Sequence, residues 1–284
     1  MKTVTIDMPE SYEHILAPDI HIGNSAIAYD KLRALIARVK SKKNCYISFS
    51  GDQLEGIDVQ DKRFNLDVHR GMDARISAQR DAFVAAFTPL MGRILWVLDG
   101  NHELKWRNIF TPNDDIARAL GCEYAGGTMI KAIFPSFRMI NWHGYGRIMS
   151  RAGDPKQRTT NDEVALKRKL RNLPGGDCEL IACGHFHRII LSKPNSALEL
   201  ITDPVNGKLM QVYTEPRKIW IDEKKGLYRI PEEDKWYAAT GSVLRSYVDG
   251  MSTYGEERGF QATELGCIAI IVKNGKMSVE KVIL

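Results

Sequence analysis

The chain has no CxxC pair, and its five cysteines, Cys45, Cys122, Cys178, Cys183 and Cys267, are an odd number scattered over 284 residues. Neither a disulfide framework nor a zinc ribbon fits that pattern, and a reduced, cytoplasmic compartment is the simpler expectation. Long apolar runs are missing as well. The longest, at residues 94–98 and 267–272, fall far short of the roughly 20 apolar residues that span a bilayer, and residues 1–7 hold no apolar signal core. No membrane partner is therefore expected. The absence of a GxxxxGK[ST] loop and of a GxSxG elbow removes P-loop motors and serine hydrolases. Internal repeats, low-complexity tracts and Pro/Ser-rich linkers are lacking too, so residues 1–284 are expected to form one domain.

What is present is an ordinary globular balance of 44% apolar and 26% charged residues. The net charge of +5 is uneven: residues 138–171 hold nine Lys and Arg against three acids, a surplus of +6 that leaves the rest of the chain at −1. Such a run fits a solvated face as well as it fits contact with a phosphate backbone. Residues 214–235 are dense in charge and are expected to form a surface excursion.

Leu32, Leu35, Ile36 and Val39 recur at helical spacing and predict a helix reaching Lys42. A second helix over residues 75–87 places Ile76, Phe83 and Phe87 on one face, and Thr111-Pro112 opens a third that Gly121 ends. Thr160 to Glu163 has capping-box spacing before Leu166, Leu170 and Leu173, which predicts a fourth helix starting there. Apolar runs at 14–17, 45–49, 93–98, 128–134, 137–142 and 179–183 read as strands, while the stretch from 57 towards 91 is less well defined. Asn206-Gly207 and Asn274-Gly275, each between apolar runs, predict hairpins. Strands alternating with helices and then hairpins imply an α/β fold with helices outside more than one sheet.

Five of the strands end in polar tips: Asp19-Ile20-His21, Gly51-Asp52, Gly100-Asn101-His102-Glu103, His143-Gly144 and Gly184-His185-Phe186-His187. Five of only seven histidines sit at these tips, and His14 and His69, which do not, are read as structural. Strand ends on one side of an α/β sheet are where ligand crevices form. Carboxylate, imidazole and amide oxygen together suit manganese, iron, zinc or nickel, and Asp52 offers two oxygens to bridge a metal pair of the kind that sits ~3.5 to 4 Å apart. The i, i+2 spacing of Asp19 with His21 and of His185 with His187 lets both side chains point one way if the backbone is extended, with Ile20 and Phe186 facing the core. Trp96, Trp142 and Phe186 are expected as core or pocket wall.

The blocks DxH, GDxxE, GNHE, HG and GHxH stand in that order from Asp19 to His187, and Gly241-Ser242 follows them. In this the sequence resembles the calcineurin-like metallophosphoesterases, on their diesterase and nuclease side. The resemblance implies a four-layer αββα sandwich with two mixed β-sheets. It implies two divalent metal ions, manganese first, with Fe, Zn, Ni or Mg as alternatives: Asp19, His21, Asp52 and His187 would hold one, and Asp52, Asn101, His143 and His185 the other. His102 would contact the scissile phosphate and assist the leaving group, Glu103 would orient His102, and hydroxide held between the metals would be the nucleophile. The family's protein phosphatases carry an Arg after GDxxD and another before GNHE, which suit a phosphomonoester dianion. Here those positions are Gly56 and Asp99. The expectation is therefore a phosphodiesterase acting on a phosphate ester substrate, with DNA or RNA as one class. The alternatives are a cyclic-nucleotide or mononucleotide phosphodiesterase, a phosphomonoesterase and, more remotely, a non-catalytic scaffold of the same fold.

Overall fold

Residues Tyr12–Ala17 are buried at every position, as a strand covered on both faces must be, and they lie near the middle of one sheet. The computed structural model describes all residues except 63, 67, 70–74, 196 and 215. Part of the less well defined stretch after residue 57, and Glu215 within the expected charged excursion, thus lie outside the described residues.

In chain order the elements begin with β1 (Lys2–Thr5), β2 (Tyr12–Ala17), α1 (Tyr29–Ser41), β3 (Cys45–Phe49), α2 (Ile76–Phe87), β4 (Ile94–Val97), α3 (Pro112–Leu120) and β5 (Glu123–Tyr124). They continue with β6 (Met129–Ile133), β7 (Arg138–Trp142), α4 (Pro155–Leu170), β8 (Leu180–Cys183), β9 (Ile189–Ser192), β10 (Ala197–Thr202) and β11 (Leu209–Thr214). The last are β12 (Ile219–Asp222), β13 (Leu227–Arg229), β14 (Trp236–Thr240), a short helix α5 (Tyr254–Glu257), β15 (Gly266–Lys273) and β16 (Lys276–Ile283).

Two mixed six-stranded sheets result, one ordered β16-β15-β2-β3-β4-β5 and the other β1-β6-β7-β8-β14-β9. Strand alternation decides what each face covers. Ile15, Ala17, Ile47 and Phe49 turn to one side and pack with Leu35 of α1, Phe83 of α2 and Leu120 of α3. Leu16 and Trp96 turn to the other side and meet Ile130, Met139, Leu180 and Ala238 of the second sheet. Leu166 and Leu170 of α4 cover the far face of that sheet through Ile140, Ile181 and Tyr237. The order of layers is therefore helices, sheet, sheet, helix: a four-layer αββα sandwich. Among the described residues no helix is long and apolar enough to cross a membrane.

Two differences from the sequence reading have physical causes. The fourth helix starts earlier than its capping-box spacing suggested: Asp154 is the N-cap, its carboxylate accepting the Gln157 N–H at 2.8 Å, with Pro155 at the first helical position. β1 carries no apolar alternation, being an edge strand with three of its four residues exposed. Between β9 and β14 the expected Asn206-Gly207 turn closes one hairpin, β10–β11, and a second, β12–β13, follows it, with Leu200, Leu209, Tyr213 and Ile221 exposed. The charged stretch contributes the second of these, though Asp234 and Lys235 at its end are buried.

Candidate metal centre

The carboxyl ends of β2, β3 and β4 in one sheet face those of β7 and β8 in the other, and the five polar tips meet there. Two backbone links bring the tips together. The Asp19 N–H donates to the Gly241 carbonyl at 3.1 Å and its own carbonyl accepts the Ser242 hydroxyl at 3.0 Å, while the N–H groups of Ile20 and His21 both donate to the Asp52 carbonyl. A polar bridge crosses the sandwich: Trp96 Nε1 donates to Asn141 Oδ1 at 3.0 Å, and Asn141 Nδ2 donates to Ser50 Oγ at 3.0 Å. The Ser50 carbonyl in turn accepts His143 Nδ1 at 2.9 Å. The two sheets are thus locked in register right where they present their side chains.

The tips are not extended. His21, Asp52, His185 and His187 have φ of 55, 53, 74 and 51°. Each strand end must turn sharply to bring consecutive polar side chains inward, and the left-handed conformation accomplishes that in one residue at a cost in steric strain. Ile20 and Phe186 are buried as expected, but through these turns and not through strand alternation. Packing here leaves no spare volume, since a Cβ on Gly100 would come within 2.0 Å of Asp52 Oδ1.

Asp52 is at the centre. Its Oδ2 lies 3.2 Å from His143 Nε2 and 3.7 Å from His21 Nε2, while Oδ1 accepts the His102 N–H at 3.1 Å. On one side His21 Nε2 is 3.1 Å from His187 Nε2, which lies 3.6 Å from Asp19 Oδ2. On the other, His143 Nε2 is 3.1 Å from Asn101 Oδ1 and 3.3 Å from His185 Nδ1. All seven predicted ligands are brought together, and two groups able to hold a metal, His21-Asp52-His187 and Asp52-His143-His185, share Asp52.

The donor atoms themselves test whether cations fit. With Nδ1 committed to the Ser50 carbonyl, His143 Nε2 in the neutral ring is an acceptor, and so are Asp52 Oδ2 and Asn101 Oδ1 around it. Acceptors at such distances repel unless something positive sits among them. Although burial acts the other way, the Asp52 charge pushes His143 up to about 9, so a positive charge is favoured at this point. Burial presses the neighbouring His185 and His187 down to about 4 and about 3, leaving their lone pairs available as ligands. Asp19 is pushed upward by burial, with the Asp52 charge adding to this against the pull of His143, and its Oδ1 is buried without a hydrogen-bond partner. Asp52 is held well below the carboxylate range because His143, His102 and His21 outweigh its burial. The set fits metal cations.

Glu55 closes the GDxxE block, but the sequence reading gave its carboxylate no role. Burial opposes its charge, yet His21 holds it down to about 2, and its Oε2 lies 3.0 Å from His21 Nδ1. That charge contact places a carboxylate beside Nδ1, while Nε2 is the ring nitrogen that faces Asp52 and His187. The Glu55 carbonyl accepts His102 Nδ1. The expected pairing of Glu103 with His102 is replaced by another arrangement: Glu103 Oε2 accepts the Gly100 and Asp52 N–H groups at 2.8 and 3.1 Å, and Oε1 accepts that of Leu54 at 2.9 Å. Glu103 therefore ties the third tip to the second, and His102 takes its orientation from Glu55. Burial and then the Asp52 charge push Glu103 up to about 7. Asp99 is equally committed, accepting Tyr124 Oη at 2.7 Å, Arg107 Nη2 at 3.0 Å and Asn113 Nδ2 at 3.1 Å.

No family model matches the chain, and no curated protein matches it in sequence. Among solved structures the chain is similar to Vps29 of Chaetomium thermophilum, at 9% identity over 95% of this chain and 97% of that one, with a TM-score of 0.38. At that level the likeness carries no argument about function, which rests on the side chains.

Proposed function

We propose that this protein is a phosphoric ester hydrolase that works with two divalent metal ions, manganese first among the candidates, and that its substrate is a phosphodiester, with nucleic acid the favoured class. The observation that carries the reading is the shared carboxylate: Asp52 belongs to both imidazole groups, as a bridging ligand must. Asp19, His21, Asp52 and His187 would hold one ion, and Asp52, Asn101, His143 and His185 the other. Bound there, two such ions supply charge neutralisation at the phosphoryl oxygens and acidify water enough for hydrolysis near neutral pH.

The chain's own residues do the rest. Glu55 orients His21 through its carboxylate and His102 through its carbonyl, so that Nε2 is the nitrogen through which His102 aids the departing alkoxide. Glu103 holds the loops carrying Asp52 and Asn101 at a fixed separation. Neither position at which the family's protein phosphatases carry an arginine offers a cation to a monoester dianion: Gly56 has no side chain, and Asp99 is a buried acid with its oxygens occupied. That supports a diester, which carries one charge less. The test is manganese-dependent hydrolysis of bis-p-nitrophenyl phosphate, p-nitrophenyl phosphate and linear DNA side by side. Turnover of the diesters is the expected result, and activity on the monoester alone overturns the reading. His102→Ala should slow esters with poor leaving groups far more than p-nitrophenyl esters.

A further inference from the structure

Immediately after His143 the chain turns through Gly144 so close to the fifth tip that a Cβ there would meet the Gly184 carbonyl oxygen at 3.1 Å and His185 Cβ at 3.3 Å. The next residue, Tyr145, is 68% exposed, an unusual place for a large ring at the lip of a buried polar site. Trp142 meets it edge-on at 5.5 Å. The Lys169 ammonium lies 5.0 Å from the centre of the Tyr145 ring and 5.7 Å from that of Phe186, the residue between His185 and His187, and donates to the Tyr145 carbonyl at 3.4 Å. Lys169 points in among these rings from α4, and no carboxylate lies within ion-pair distance of it among the described residues. A second cation, Arg147, sits 4.2 Å over the Phe260 ring. Aromatic faces interleaved with cations that have no carboxylate partner among the described residues are what an unpaired base and its phosphate require, the ring taking the base and the ammonium the phosphate.

We propose that Tyr145 and Lys169 form a docking site for one unpaired nucleoside of single-stranded nucleic acid beside the metal centre, the base stacking on Tyr145 and its phosphate binding Lys169. The site rests on the phosphodiesterase reading for its purpose but not for its detection. A duplex hides its base faces, so the substrate class is single-stranded or frayed.

Binding is measured on metal-free protein by fluorescence anisotropy with a labelled oligothymidylate, its abasic counterpart of equal length and a blunt duplex. Tyr145→Ala should weaken oligothymidylate binding by about five- to hundredfold, Tyr145→Phe should keep most of it, and Lys169→Gln should weaken binding and flatten its salt dependence. The abasic strand should bind wild type about as weakly as oligothymidylate binds Tyr145→Ala. A second measurement is the ratio of kcat/KM for the p-nitrophenyl ester of thymidine 5′-phosphate to that for methyl p-nitrophenyl phosphate, which Tyr145→Ala should lower. Equal oligothymidylate binding by wild type and Tyr145→Ala, or preference for the duplex, overturns the docking site even if diesters are hydrolysed. If the binding pattern holds but no diester is turned over with any metal, the function falls and the docking site stands.

Discussion

His14 gives the clearest quantitative test of how the layers are held. It is fully buried between the sheets, its Nε2 sharing a 2.8 Å hydrogen bond with Ser48 Oγ and its ring edge against Trp96 at 5.0 Å, while Nδ1 has no partner. Burial pushes this imidazole down to about 3 from an ordinary 6.5. As pH falls, the unfolded chain takes up the proton first, so the folded state has its full stability above pH 6.5 and loses it progressively between 6.5 and about 3. Each unit of pKa difference crossed costs ~1.4 kcal/mol, so at about pH 5 the loss from this residue alone is ~2 kcal/mol. His14→Gln keeps a group able to bond Ser48 but cannot titrate. Chemical denaturation of both proteins, metal-free, at about pH 5 and pH 8 isolates the effect, because every other titrating group is common to the two. The pH-dependent loss should be smaller by ~2 kcal/mol in the variant, or roughly 4–8 °C in Tm. The same pH dependence in both proteins would refute the placement of His14 as a buried neutral ring.

Asp52→Ala should abolish binding of both metals, where Asp19→Ala should affect one; metal analysis after dialysis reads the stoichiometry, and two ions retained by Asp52→Ala would remove it as the bridge. Glu55→Gln should weaken one metal by about 10- to 100-fold in calorimetric titration, through loss of the negative charge beside His21 Nδ1. Glu103→Ala leaves the N–H groups of Asp52, Leu54 and Gly100 without their acceptor, each worth about 1–3 kcal/mol when buried and unsatisfied. It should therefore lower folding stability in denaturant titration by several kcal/mol as well as activity, and an unchanged midpoint would contradict the loop-tying role.

The strands and helices that position the site were legible because their apolar periodicity reflects burial directly, as in the fully buried Tyr12–Ala17 and the Ile76, Phe83, Phe87 face. The Asn274-Gly275 turn was legible for a local reason, both residues having positive φ as a tight hairpin requires. The convergence of the polar tips was legible because polar residues at strand ends on one side of an α/β sheet gather at one crevice. What was hidden depends on contacts between distant segments. Nothing near Glu103 says that its oxygens go to Asp52 and Leu54, and nothing near Glu55 says that its carbonyl receives His102. The start of α4 was misplaced because Thr160 to Glu163 mimics a cap inside a helix whose true cap, Asp154 before Pro155, is as plain a signal six residues earlier.

The left-handed residues have a consequence for how this sequence can change. Among the described residues five non-glycines have positive φ, and four of them are His21, Asp52, His185 and His187. Each conformation costs about 1–3 kcal/mol that glycine would largely recover. Relief of backbone strain alone would thus push these four positions towards glycine and would erase the candidate metal centre. A lineage or a designed library that keeps histidine and aspartate at these positions is, by that fact, being held to them by function.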